Sequence, residues 1–177
     1  MPDFALRFPP ADIRPLAERF GYTDDAACER AGAAARSRGH YSRPEFVTVC
    51  RWKTPRSRPL VERNAAPAVE RATRDALGSH GERERMQALV QLEGVGVPTA
   101  STLLHFAFPD DYPILDVRAL ESLGHTGKGT AYTIGFWLDY LEVCRELATR
   151  HGVSIRTLDK ALWQHSKERA AATRASH

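Results

Sequence analysis

Apolar residues recur at three- and four-residue intervals along nearly all of this chain, and nowhere do they alternate with polar ones over a strand-length run. Helices are the only regular elements that pattern supports, so the expected fold class is all-α. In 10–21, PADIRPLAERFG, the residues Ile13, Leu16, Ala17 and Phe20 form one stripe that stops at Gly21. Thr23 is placed to cap 24–39, whose acidic first turn and basic last turn suit the helix dipole. Ser42 is the candidate cap of 42–53, and Asn64 that of 65–78. The segment 54–64, TPRSRPLVERN, breaks the pattern with two prolines and reads as a loop suited to function. Met86, Leu89 and Val90 give 81–92 an inward face, and the longest helical pattern, 131–152, ends at Gly152. The last segment, 153–177, begins as a helix and is expected to fray from about 168 into a basic, alanine-rich tail. Roughly eight or nine helices are expected, packed as one compact multi-helix domain over 1–177, a length sufficient for a proper core.

Composition narrows the function classes. With 42% hydrophobic and 27% charged residues the chain is neither disordered nor membrane-embedded in type. It has no apolar run near the roughly 20 residues that cross a bilayer. The first residues carry no basic stretch followed by an apolar core, so a cytoplasmic location is expected. Cys28, Cys50 and Cys144 are odd in number and far apart, which suits neither a disulfide framework nor a metal cluster. Reduced thiols, no metal and no cofactor are expected. A net charge of +3 and a pI near 8.9 permit a polyanionic partner if the positive charge gathers on one face.

The most informative stretch is 92–116, LEGVGVPTASTLLHFAFPDDYPILD. One helical pattern runs into Leu92, the chain turns through Gly94, Val95 and Gly96, and a second pattern starts near Pro98, where a missing donor is harmless. Glycines permit positive φ and close backbone approach. Free amides beside a helix N-terminus suit an anion, and a nucleic-acid phosphate is the obvious one. Such a contact positions without reading bases.

With Leu92, Gly94, Val95, Gly96, Thr99 and Ala100 followed by Asp116 in YPILDVRAL, the segment 86–124 resembles the helix-hairpin-helix DNA glycosylase superfamily of endonuclease III-like fold. The resemblance implies a DNA-glycosylase-like domain that works as a monomer on DNA. The implied phosphate contacts are Gly94, Val95, Gly96 and Thr99, and the implied catalytic residue is Asp116. Asp116 lies 18 positions after Pro98, the separation at which strand-cleaving members place a lysine before the acid. Proline has no amine for a Schiff base, so the resemblance implies a monofunctional enzyme that hydrolyses the base-sugar bond and leaves the backbone intact. A carboxylate beneath the sugar would stabilise an oxocarbenium-like transition state or orient water. Asp116 is equally well placed as the N-cap of VRALESLG, and the two roles are compatible.

Enzymes acting on a base in duplex DNA extrude it and fill the gap. The resemblance points to CRWKTPRSR for that purpose, with Trp52 as wedge or stacking group and Lys53, Arg56 and Arg58 on phosphates. Trp163, with Gln164 and His165, would line the cleft from the last helix, and Lys128 in GHTGKGT would touch phosphate. The alternatives are core packing for the tryptophans and plain solvated surface for the basic residues. Arg118 is expected to pair with Asp116 or bind phosphate, and His105 is read as structural. The wedge segment lies about 40 residues before the hairpin, so one or two helices of the usual barrel are absent. Two other readings remain: a non-catalytic helix-hairpin-helix module that binds nucleic acid, and an α-helical interaction protein that binds none.

Overall fold

The computed structural model describes residues 4–21, 25–126 and 131–175, which leaves Thr23 and Lys128 outside the described residues. Among the described residues every regular element is helical. The ten α-helices are α1 (Ile13–Glu18), α2 (Ala26–Arg38), α3 (Arg43–Lys53), α4 (Arg58–Val61), α5 (Ala66–Gly78), α6 (Glu82–Val90), α7 (Val97–Ala107), α8 (Val117–Ser122), α9 (Ile134–Arg150) and α10 (Ile155–Ala175).

The core is organised around α7. Its sequence, VPTASTLLHFA, has no charged side chain except the neutral-capable His105, and every residue but Pro98 is buried. A helix apolar on all sides needs neighbours on all sides. They are α2, α3 and α6. The backbone of α2 comes so close that a Cβ on Gly32 would overlap the Phe106 carbonyl, so only glycine fits there. Leu103 and Leu104 are fully enclosed, and truncating either to alanine would cost about 2–5 kcal/mol. A second group forms where α10 packs on α1 and α8, with α9 bridging towards α6.

Local signals account for several helix ends. Ser42 and Glu45 form a reciprocal capping box at the start of α3. Asn64 does not cap α5. Its Nδ2 donates to the carbonyls of Val61 and Glu93 (both 2.9 Å) while its Oδ1 accepts from the Glu93 amide (2.9 Å). A side chain that satisfies three backbone groups of two segments gains more than one that caps a single amide. The proline-rich segment is also more ordered than a plain loop, because Pro55 and Pro59 sit at turn starts where their fixed φ is useful. It forms a 3-10 turn, Pro55–Ser57, and then α4. At the other end of the chain α10 does not fray near 168 but continues through its alanines, good helix formers, to Ala175.

Candidate functional site

Residues 108–116 run from the end of α7 to the start of α8 without regular structure, yet Tyr112, Ile114 and Leu115 are buried. Buried irregular backbone must find partners for its polar groups. Here side chains from three helices supply them. The Ile114 amide donates to Asp159 Oδ1 on α10 (2.8 Å) and the Leu115 amide to Ser101 Oγ on α7 (3.0 Å). The Ile114 carbonyl accepts from the Tyr140 hydroxyl on α9 (2.9 Å), and the Tyr112 carbonyl from His105 Nδ1 (2.7 Å). His105 therefore holds its Nδ1 proton as a strut, and burial, reinforced by nearby Arg156, lowers its pKa to about 3. It remains neutral at ordinary pH.

This braced segment delivers Asp116, the N-cap of α8. Its Oδ1 accepts from the Ala119 amide (2.8 Å). The other oxygen, Oδ2, lies 3.8 Å from Nζ of Lys53, the last residue of α3. Burial pushes the Asp116 carboxyl above the usual carboxylate range and Asp159 adds to the effect, while Lys53 and the amides of Ala119 and Arg118 oppose it. Burial likewise lowers the Lys53 ammonium, against the pull of Asp116 and Asp159. Each partner is thus displaced towards its neutral form.

Both groups face a pocket of about 360 Å³ whose wall includes Phe20, Trp52, Arg156 and Trp163. Asp159 lines it as well: its ion pair with Arg156 is 3.1 Å, and Arg156 pairs in addition with Asp25. Trp163 meets Phe20 edge to face at 5.3 Å and carries the Arg118 guanidinium (5.4 Å) and the Lys167 ammonium (5.1 Å) over its ring. Lys160 and Arg156 lie 5.6 Å from the Phe20 ring. Trp52 packs edge-on against Phe106 at 5.1 Å. Aromatic walls with a cationic rim suit a planar group attached to an anion.

The hairpin stands where α3 and α4 meet α7. Gly94 has φ +76°, and a Cβ on it would come within 2.9 Å of Val61 Cγ2 and 3.0 Å of Leu60 Cβ. The fold itself demands glycine there. Gly96 is different: it is exposed, its φ of −88° suits any residue, and a Cβ would meet nothing closer than Pro98 Cδ at 3.8 Å. The Glu93 amide donates to Asn64 and the Val95 amide to the Leu92 carbonyl (3.1 Å). Among the described residues the Gly94 and Gly96 amides have no intramolecular acceptor. Val95, expected to present its amide outward, instead commits that amide and buries its side chain. Thr99 is also buried, its Oγ1 3.5 Å from Thr54 Oγ1.

Lys53, grouped from the sequence with Arg56 and Arg58 as a phosphate ligand, turns into the pocket, because the last turn of α3 points there. Arg56 and Arg58 are exposed, and Arg58 is engaged with Glu62 at 2.6 Å. Trp52 and Trp163 both line the pocket and are only partly buried. Gln164 and His165 face elsewhere, bonded to Glu168 (2.8 Å) and Ser122 (2.9 Å). Arg118 lies over Trp163, and the ion partner of Asp116 is Lys53. Sequence reasoning missed Phe20, Arg156 and Asp159. The signal was available for two of them, since Arg156, Asp159 and Trp163 share one helical face and an aspartate on an apolar stripe calls for a buried partner.

Cys28, Cys50 and Cys144 are free and buried. Among the described residues no cluster of three or more His, Cys, Asp or Glu is placed to hold a metal ion, and no helix is long and apolar enough to cross a membrane. Comparison with models of known families, with curated proteins and with solved structures finds no match to the chain.

Proposed function

We propose that this protein is a base-excision-type DNA N-glycosylase that hydrolyses the base-sugar bond of an extruded nucleotide. The observation that carries the reading is the setting of Asp116: Oδ1 is fixed by a backbone amide, Oδ2 lies 3.8 Å from the Lys53 ammonium, and the carboxylate lines a pocket with aromatic and cationic walls. A carboxylate fixed in this way needs no reorganisation to meet a sugar cation as it forms. Trp52, Trp163 and Phe20 provide faces for a base, and the open amides of Gly94 and Gly96 provide a phosphate contact that positions the strand. Pro98 has no amine to offer, so water attacks the sugar carbon. Duplex DNA is the partner, and neither metal nor cofactor enters the step.

The test is release of free base from a panel of duplexes, each carrying one altered base such as uracil, hypoxanthine, 8-oxoguanine or 3-methyladenine. Release from one of them is expected, together with a loss of about 10²-fold or more in Asp116→Asn while DNA binding persists. Equal release by the variant overturns the mechanism. Salt-dependent binding with no base released from any duplex favours a non-catalytic module that uses the hairpin alone.

A further inference from the structure

A second cleft opens where α8 packs on α10. Arg118 and Trp163 of these helices line the candidate site, while Glu121 and Arg169, further along the same two helices, line the second cleft. It holds about 260 Å³ and takes in Arg7, His125 and Thr126 as well.

The cations of this cleft are fixed in place and their charge is not answered. The Ala5 amide donates to the Leu123 carbonyl and the Arg7 amide to that of Ser122 (both 2.9 Å). Phe8, the next residue, is buried against the His165 ring at 4.6 Å, so the backbone at Arg7 is pinned from both sides. The Arg7 guanidinium lies over Gly124, whose φ is +84° and whose missing Cβ would overlap it. Among the described residues neither Arg7 nor Arg169 has a side-chain hydrogen bond or an ion pair. Glu121, the acidic residue of the cleft, accepts from Ser166 Oγ and pairs with neither arginine. The charge of Arg169 is felt within the fold: after burial, it does most to lower the His165 pKa. Like charges gathered in a cleft repel one another and focus a positive field, which an anion relieves. Guanidinium forks match the oxygens of a phosphate, to which the Thr126 hydroxyl adds a donor.

We infer that this cleft is an anion site in which Arg7 and Arg169 take a phosphate group, and that the phosphate belongs to the DNA strand whose nucleotide enters the neighbouring pocket. Naming the strand rests on the DNA reading above; the anion site does not. Spacing favours the strand over a free phosphate. Arg169 is six residues beyond Trp163, about 9 Å along a helix axis. That is the rise of two or three nucleotides of one strand at roughly 3.4 Å each. Ser166 joins the two clefts, since it donates to Glu121 and lies 3.5 Å from Arg118 Nη1. The hairpin contributes none of these groups, so the cleft gives the strand a hold independent of Gly94 and Gly96.

The test has two arms. The first measures the affinity of wild type, Arg7→Gln, Arg169→Gln and the double variant for an unmodified duplex over a salt series. Each single substitution should weaken binding severalfold and the pair at least tenfold, with the slope of log K against log salt shallower by about one in the pair. Arg169 is exposed, so Arg169→Gln alone reports if a variant at Arg7, which covers Gly124, fails to fold. The second arm titrates wild type and Arg169→Gln with inorganic phosphate and follows the His125 ring resonances by NMR. A weak shift in wild type that is lost in the variant is expected. Unchanged DNA affinity and slope in the variants, with an arginine-dependent phosphate shift, overturns the strand and leaves a site for free phosphate. No arginine dependence in either arm overturns the site altogether. Arginine-dependent DNA binding without base release from any altered duplex keeps the site and removes the glycosylase. A wild type that binds no duplex removes the DNA reading and the strand with it, and the phosphate titration then decides the anion site.

Discussion

The two ends of α7 are built on opposite principles. At the N-terminal end the hairpin leaves the Gly94 and Gly96 amides without partners among the described residues and keeps a glycine at 96 that neither φ nor space requires. At the C-terminal end, residues 108–116 have their buried backbone groups tied to Ser101, His105, Tyr140 and Asp159. Unsatisfied groups at an exposed turn cost little, since water covers them, and remain available to a ligand. Unsatisfied groups under the core would cost about 1–3 kcal/mol each, so that end can only be rigid. In the proposed reaction the rigid end would carry the carboxylate that must not move, and the open end the contacts that must form and break.

Substitutions can break this contrast in order of size. Asp159→Ala should have the largest effect, because it removes the Ile114 acceptor and strips one of the two carboxylates from partly buried Arg156. A loss of about 3–5 kcal/mol in urea unfolding is expected, and a loss under about 1 kcal/mol would mean the segment is held by other means. Next comes the acid response of His105. Its folded pKa of about 3 lies below the ordinary 6.5, so between those values the unfolded chain binds more protons and stability falls as pH falls. The slope from this group is at most about 1.4 kcal/mol per pH unit, and His105→Gln should flatten the unfolding curve across that window. An unchanged slope would remove His105 as a neutral strut.

Gly94→Ala, with positive φ and a collision with α4, should destabilise by about 1–3 kcal/mol. Ser101→Ala strands the Leu115 amide and should cost about 1 kcal/mol. Gly96→Ala should leave stability within about 0.5 kcal/mol while weakening DNA binding severalfold. Similar behaviour of the two glycine variants, in stability or in binding, would erase the difference between them.

Much of the architecture was legible from periodicity alone: the helices, the turn at Gly94 to Gly96 and the cap at Asp116 all follow from spacing and local chemistry. The pairings that make the site were not. Lys53 meets Asp116 across 63 positions, Arg156 meets Asp25 across 131, and Asn64 serves the hairpin across 29. Local rules assign such residues to the nearest plausible role, a phosphate contact for Lys53 and a cap for Asn64, because nothing in the neighbouring sequence encodes a partner brought in by packing. The exception is instructive: Asp159 sits on an apolar stripe, where a carboxylate is costly unless paired, so its need for a partner was visible even though the partner was not.

The central claim is that the Asp116 carboxylate faces a developing sugar cation. It is tested most directly by measuring Kd for a duplex containing a positively charged abasic-site mimic against the same duplex with an uncharged one, over a salt series, for wild type and Asp116→Asn. The expected result is a preference of at least tenfold for the charged mimic in wild type that persists as salt rises and disappears in the variant. Equal, equally salt-sensitive affinity for both duplexes in both proteins would contradict it and leave Asp116 as a helix cap.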